Sequence, residues 1–126
     1  GTLRQIARFG LNYREIDTIC YTHLHPDHTF DLIPLLFAYK HDPDLQMPKI
    51  LKIICPVGFQ NYFDKLTNIY GDWAMSEEVN IDIQEIERGN IELDGLTIQA
   101  RHTEHTEHSV TYRFIDSKKN NFIFYQ

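Results

Sequence analysis

The chain has 126 residues, which is enough for one modest domain with a hydrophobic core of its own. Hydrophobic residues make up 42% and aromatic residues 13% of the chain, a composition that excludes a disordered protein. The net charge of −6 disfavours a general nucleic-acid binder, since phosphate contacts need clustered Lys and Arg, and no apolar run approaches the ~20 residues that cross a bilayer.

The cysteines and the first residues indicate in which cellular compartment the protein is found. Cys20 and Cys55 lie in separate apolar runs, which favours buried thiols over a disulfide. The opening residues do not have the pattern of a signal peptide. We therefore expect a protein of a reducing compartment, the cytoplasm, with no membrane association.

The first half of the chain predicts helices that alternate with strands. Helical spacing of apolar residues predicts helices over residues 3–9, 32–39 and 59–70. Apolar runs rich in β-branched residues predict buried strands over residues 16–21 and 50–55. Gly71 is a natural end for the third helix. The stretch 40–48 holds two prolines and predicts a surface loop, in which His41 is most simply a solvated histidine.

From residue 80 onward the apolar residues follow a period of two, which is typical of strands. Strands are predicted over residues 81–86, 91–93, 96–98, 110–115 and 122–125. Asp94-Gly95 predicts a two-residue hairpin turn, and residues 117–121 predict a longer turn. We expect an α+β domain in which strands of two sheets pack face to face. The helices of residues 32–39 and 59–70 should lie on one sheet face.

Three histidines and a carboxylate follow the first predicted strand within six residues: His23, His25, Asp27 and His28. Neutral imidazoles and a carboxylate suit zinc and other first-row divalent metals, and ligands gather beyond the carboxyl ends of strands. In an extended chain His23 and His25 project to the same side, so one ion can bind both. Asp27 and His28 lie beyond the bend at Pro26 and can face a second ion.

A second group of histidines lies between two predicted strands and contains His102, His105 and His108. A metal site needs ligands from more than one element, and this is the other histidine-rich stretch. The residues alone leave open which of the three is a ligand, since histidines three apart in a polar loop can simply be solvated. Glu104 and Glu107 are placed to accept an N–H from a liganding imidazole.

The order His-x-His-x-Asp-His after a hydrophobic strand resembles the signature of the metallo-β-lactamase fold hydrolases. Thr22 before it and Thr29-Phe30-Asp31-Leu32 after it resemble the branch that includes ribonuclease Z and related phosphodiesterases, although many members carry Gly in place of Asp31. The resemblance implies an αββα four-layer sandwich. It also implies that residues 1–126 form a partial domain, the N-terminal half of that sandwich.

The resemblance implies a set of ligands as well. In the family pattern a histidine lies seven residues before a tyrosine that opens a strand, and His105 and Tyr112 match that spacing. His23, His25 and His105 would then bind one ion, zinc or alternatively manganese or iron. Asp27 and His28 would begin a second metal site, with Asp27 as the catalytic carboxylate that orients the attacking water. A bridging Asp and one more His would come from the second half of the family's fold.

These observations predict a metal-dependent hydrolase that uses a metal-activated water on a phosphodiester, either a small molecule or a nucleic acid. Two alternatives stay open, namely a hydrolase of lactone or thioester substrates, and a non-catalytic metal-binding fragment or interaction module. We expect one or two divalent ions. Because the second site is short of ligands, we expect a C-terminal half or a partner chain, as in a homo-oligomer, to complete it. An isolated monomer should be poorly active, with at most one tightly bound metal.

Overall fold

Helices and strands alternate in the first half of the chain, and strands follow one another in the second. The computed structural model describes residues 1–118 and 120–124. The helices are α1 (Thr2–Arg8), α2 (Pro26–Thr29), α3 (Leu32–His41) and α4 (Phe59–Ala74), with a 3-10 turn at Tyr13–Glu15. The strands are β1 (Thr18–Cys20), β2 (Lys49–Cys55), β3 (Val79–Glu85), β4 (Gly89–Leu93), β5 (Leu96–His102), β6 (Val110–Asp116) and β7 (Asn121–Phe124). No helix in the described ranges is long and apolar enough to cross a bilayer.

The strands form two sheets of different kinds. The parallel sheet has the order β1-β2-β3, and its registers pair Ile19 with Ile53 and Ile53 with Ile83. The antiparallel sheet has the order β4-β5-β6-β7, in which each strand pairs with the next one along the chain. The Asp94-Gly95 turn joins β4 to β5 with φ of 32° and 84°, so both residues have the positive φ that a tight hairpin turn of this kind requires.

Strand β2 is the middle strand of the parallel sheet, and its last three residues are buried on both faces. Leu51, Ile53 and Cys55 have no exposed surface and pack with residues of α3 and α4. Ile54 points the other way and packs with Ile98 of the antiparallel sheet. This burial accounts for the three consecutive apolar residues at the end of β2, a pattern that is typical of parallel strands covered on both sides. The layers are therefore helices, parallel sheet and antiparallel sheet, which confirms the mixed α and β sandwich expected from the sequence.

The two cysteines lie on opposite sides of the parallel sheet. Cys55 packs with the helices, whereas Cys20 packs against the antiparallel sheet, and both are free thiols. Burial raises the pKa of Cys20 to about 11 and that of Cys55 to about 12, so both thiols are neutral at physiological pH.

The structure corrects several predicted boundaries. Helix α4 does not end at Gly71 but continues to Ala74, whose burial in the core offsets the roughly 1 kcal/mol by which Gly disfavours a helix. Helix α3 extends through His41, which is therefore helical rather than part of a loop, and its ring lies 4.4 Å from that of Phe37. Strand β1 is shorter than residues 16–21.

The short helix α2 was not predicted, because four residues are too few for a periodic pattern. In the second half, β7 begins at Asn121, one residue before the predicted strand. The predicted turn 117–121 includes Lys119 and the predicted strand 122–125 includes Tyr125, and these two residues lie outside the described ranges.

Candidate metal centre

Three imidazoles meet just beyond the carboxyl end of β1. His23 and His25 lie between β1 and α2, and His105 lies in the loop between β5 and β6. One side-chain nitrogen of each residue lies within 4.8 Å of those of the other two. The ring centroids are 4.5 Å apart for His23 and His25, 4.7 Å for His23 and His105, and 5.2 Å for His25 and His105. We call these residues the three-histidine group. They are the residues that the family resemblance assigns to one ion, and their role as ligands stays a prediction.

His23 is the buried member of the group, with 1% of its surface exposed, while His25 and His105 are exposed. Its Nε2 lies 3.0 Å from Nδ1 of His25, and its Nδ1 lies 3.1 Å from Oγ1 of Thr22. Burial, and then the neighbouring histidines, lower the pKa of His23. The neutral ring is therefore favoured, and a neutral imidazole is the form that binds a metal.

Two hydrogen bonds join the end of β1 to β6 across the two sheets. The Val110 amide donates to the carbonyl of Thr22 at 2.9 Å. The Tyr112 hydroxyl donates to the carbonyl of Tyr21, also at 2.9 Å. Because the loop that carries His105 runs directly into β6, these bonds fix the distance between the two segments that supply the three-histidine group. Tyr112 lies two residues inside β6 and does not open it, as the family pattern had suggested.

The loop between β5 and β6 is folded around Ser109, a polar residue with no exposed surface. The Ser109 hydroxyl accepts from the Thr106 amide at 2.9 Å, and the Ser109 carbonyl accepts from the Thr103 amide at 2.9 Å. The His105 amide donates to the Thr103 carbonyl at 3.0 Å. The position of His105 is therefore set by a network inside its own loop. A serine among polar residues gave no signal of this role in the sequence.

Two consecutive hydrogen bonds connect helix α4 to the backbone of His25. The Tyr62 hydroxyl donates to Oγ1 of Thr29 at 2.9 Å, and the Thr29 hydroxyl donates to the carbonyl of His25 at 3.2 Å. The sequence places Tyr62 on an apolar helix face that packs in the core. The structure adds a hydrogen bond from its hydroxyl to the histidine loop, which the helical pattern cannot indicate.

Asp27 and His28 lie on α2, which begins at Pro26, a favoured residue for the first helical position. Nε2 of His28 lies 3.2 Å from Oδ2 of Asp27, and the His28 ring lies 4.4 Å from that of His23. Within residues 1–118 and 120–124, neither residue belongs to a group of three candidate ligands as compact as the three-histidine group. The structure thus places His28 beside the group and pairs the Asp27 carboxylate with His28. The roles of both residues stay predictions.

His102 and His108, the alternatives to His105, are exposed and do not belong to the three-histidine group. His102 ends β5, and His108 precedes Ser109. Of the three histidines in this stretch, the structure brings only His105 together with His23 and His25, among the residues it describes.

A cavity of about 680 Å³ adjoins the site on the side of α2. Asp27 and His28 contribute to its lining, whereas the rest is largely apolar and comes from α1, β1, α3 and the inner face of the antiparallel sheet. The three histidines do not line it. The cavity is therefore next to Asp27 and His28 rather than next to the three-histidine group.

Comparisons with known proteins agree on the family to which this chain is similar. Residues 1–118 match the sequence profile of the Metallo-beta-lactamase superfamily. The chain is 34% identical to a ribonuclease Z of Staphylococcus epidermidis over 117 residues, which are 90% of this chain and 36% of the relative. It is 31% identical to a ribonuclease BN of Escherichia coli over 120 residues, which are 94% of this chain and 37% of the relative. The chain thus spans about a third of the length of these curated relatives.

Solved structures show the same fold at lower identity. The human tRNase Z, short form, has a TM-score of 0.78 and 17% identity, and the match covers 100% of this chain and 54% of that one. A metallo-beta-lactamase fold protein from Bacillus subtilis has a TM-score of 0.71 and 16% identity, with 98% of this chain and 45% of that one covered. The layered fold, the sequence match over residues 1–118 and these structural neighbours agree, and the chain belongs to the metallo-beta-lactamase superfamily.

Proposed function

We propose that this chain carries the metal-binding part of a metal-dependent hydrolase that cleaves phosphodiesters. The observation that carries the proposal is the three-histidine group, in which imidazole nitrogens from two separate loops lie within 4.8 Å of one another. Membership of the superfamily supports hydrolysis in general. Because the chain spans about a third of the relatives' length, the activity of the whole protein is part of the proposal.

The residues present fit a divalent ion. His23 Nε2 and His25 Nδ1 lie 3.0 Å apart, close to the separation of roughly 3.3 Å expected for two nitrogens bound to one tetrahedral zinc at ~2.0–2.1 Å. Three imidazoles without a fourth protein ligand are typical of zinc sites that keep one position open. Zinc is therefore the proposed ion, with manganese or iron as alternatives. A divalent ion bound here would supply Lewis-acid activation of a water molecule at neutral pH.

The remaining roles belong to Asp27 and His28. In the proposal the exposed Asp27 carboxylate accepts a proton from the attacking water and orients it, which is the work of a general base. His28 holds that carboxylate through the contact at 3.2 Å. Both residues also begin a site for a second ion, and the other ligands of that ion would come from residues beyond the three-histidine group.

The substrate class is proposed from the relatives. Two of them are named ribonuclease Z and ribonuclease BN, and one structural neighbour is a tRNase Z. RNA is therefore the proposed substrate, cleaved at a phosphodiester bond. Lactone and thioester hydrolysis are the alternatives within the superfamily. The net charge of −6 means that the chain as a whole has no excess of the Lys and Arg residues that bind phosphates, which weighs against RNA.

A second candidate function is metal binding without catalysis. Within the described residues, Asp27 and His28 do not join the three histidines in one compact group. A chain that binds one ion through three imidazoles and completes no second site would act as a metal-binding module.

Metal analysis and hydrolysis of a generic phosphodiester, with added zinc or manganese, distinguish these functions. The chain should bind one zinc ion, and His25→Ala should abolish tight binding of zinc. His41→Ala is the matched control, because His41 lies at the end of α3, outside the three-histidine group. A hydrolase predicts slow turnover that His25→Ala removes and His41→Ala retains. Zinc binding without turnover favours the metal-binding module. Equal residual hydrolysis in the wild-type chain and in His25→Ala would exclude catalysis by this site.

A further inference from the structure

Thr22 makes two contacts at the candidate metal site, one through its backbone and one through its hydroxyl. Its carbonyl accepts from the Val110 amide at 2.9 Å, which fixes its backbone against β6. Its hydroxyl oxygen lies 3.1 Å from Nδ1 of His23. Because Thr is β-branched and has few rotamers, a fixed backbone also restricts where the hydroxyl can lie. Thr22 therefore presents an oxygen of defined position to the ring of the neighbouring histidine.

The ring of His23 depends on this hydroxyl more than the other two rings depend on their neighbours. His25 and His105 are exposed, so water can hydrogen-bond to whichever ring nitrogen does not face the group. His23 is 1% exposed, and its Nδ1 is within hydrogen-bond distance of Thr22. A buried ring nitrogen that carries a proton needs an acceptor, and the Thr22 hydroxyl supplies one.

The contacts of His23 with Thr22 and His25 fit either neutral tautomer, and an ion bound at Nε2 would select one of them. Nε2 faces His25 at 3.0 Å, so Nε2 is the atom that would bind an ion, and it must then carry no proton. An ion bound at Nε2 therefore requires the neutral ring with its proton on Nδ1, which would donate to Thr22 Oγ1. We propose that Thr22 is a positioning residue that holds His23 as the Nδ1–H tautomer and so aims the unprotonated Nε2 into the three-histidine group. The inference rests on the metal site of the proposed function.

The test compares variants of Thr22 that keep or lose the hydroxyl. Thr22→Val keeps the shape and removes the hydroxyl, while Thr22→Ser keeps the hydroxyl and removes the methyl group. Thr22→Ala is a second variant without the hydroxyl, for use where valine disturbs folding. Thr97→Val is the matched control, because the Thr97 hydroxyl donates to Glu92 at the surface of the antiparallel sheet, away from the site.

Zinc affinity is measured by competition with a chromogenic chelator. Loss of a residue that orients a ligand weakens metal affinity by ~10–100-fold, and we expect that loss in Thr22→Val and Thr22→Ala. Thr22→Ser should stay within about threefold of the wild-type chain, and Thr97→Val should be unchanged. Zinc affinity equal to wild type in Thr22→Val, or equally weak in Thr22→Ser and Thr22→Val, would overturn the proposal.

A second measurement does not depend on metal. Long-range ¹H–¹⁵N spectra of the metal-free chain at mildly alkaline pH distinguish the Nδ1–H from the Nε2–H tautomer of a histidine. His23 should be the Nδ1–H tautomer in the wild-type chain and in Thr22→Ser, and a mixture in Thr22→Val. An unchanged Nδ1–H tautomer in Thr22→Val refutes the role of Thr22. A wild-type chain that binds no zinc refutes the proposed function instead, and the tautomer spectra then decide the role of Thr22 alone.

Discussion

Replacement of Tyr112 by Phe tests whether one hydroxyl joins the two sheets. Tyr112 is 1% exposed, and its hydroxyl donates to the Tyr21 carbonyl at 2.9 Å, 91 residues earlier in the chain. Burial raises the pKa of Tyr112 far above its usual range, so the hydroxyl stays a neutral donor. Phe keeps the ring and its contact with Phe114, and the loss is confined to the hydrogen bond. We expect a decrease of about 1–3 kcal/mol in the free energy of unfolding, the upper value applying if the Tyr21 carbonyl is left without a partner.

Urea unfolding followed by circular dichroism measures this decrease. The m-value should not change, because both proteins expose the same surface on unfolding. Tyr70→Phe is the matched control, since Tyr70 lies exposed on α4 and makes no hydrogen bond to the described residues, and it should change the free energy of unfolding by less than ~0.5 kcal/mol. If Tyr112→Phe costs no more than Tyr70→Phe, the hydroxyl does not stabilise the contact between the sheets.

Three further predictions concern the histidine loop, an ion pair and a turn. Ser109→Ala removes the acceptor that fixes the loop of His105, and zinc affinity measured by chelator competition should fall by about tenfold. Nε of Arg14 lies 2.6 Å from Oδ2 of Asp42 and holds the pKa of that carboxyl well below its usual range. The ion pair therefore stabilises the folded chain above the unfolded pKa of ~3.9, and this stabilisation is lost as the pH falls below that value. Thermal unfolding as a function of pH should therefore show a smaller loss of stability in acid for Asp42→Asn than for the wild-type chain. Gly95→Ala places a Cβ at φ of 84° and should cost about 1 kcal/mol in urea unfolding, and no cost would argue against this turn.

The sequence is sufficient for the parts of the site that are local. His23 and His25 are two residues apart just beyond a strand, and an extended chain directs alternate side chains to one side. The position of His105 is different, because it depends on how a loop 80 residues later packs against that strand. The spacing between His105 and Tyr112 indicated this histidine only through the family resemblance, and the structure brings it to His23 and His25.

The supporting hydrogen bonds could not be read from the sequence. Thr22, Thr29 and Ser109 are short polar residues whose partners are set by local packing or come from other elements, as Tyr62 of α4 does for Thr29. A single polar residue has no periodicity that reveals its partner. Helix α4 shows the same limit at the level of an element, since Gly71 is a local stop signal that the burial of Ala74 overrides. Local rules predict elements well and predict contacts between distant elements poorly.

The two sheets differ in the distance along the chain between neighbouring strands, and this difference has a consequence for the order of folding. The antiparallel sheet pairs residues as close along the chain as Leu93 and Leu96, whereas the parallel sheet pairs residue 19 with residue 53 and residue 53 with residue 83. Contacts between distant residues cost more chain entropy before they form, so we expect the antiparallel sheet to fold first. In pulsed hydrogen exchange during refolding, the Ile98 amide should become protected before that of Ile53. Because the three histidines come from loops on both sheets, they would come together only in the last step, when the finished antiparallel sheet packs against β1 and β2.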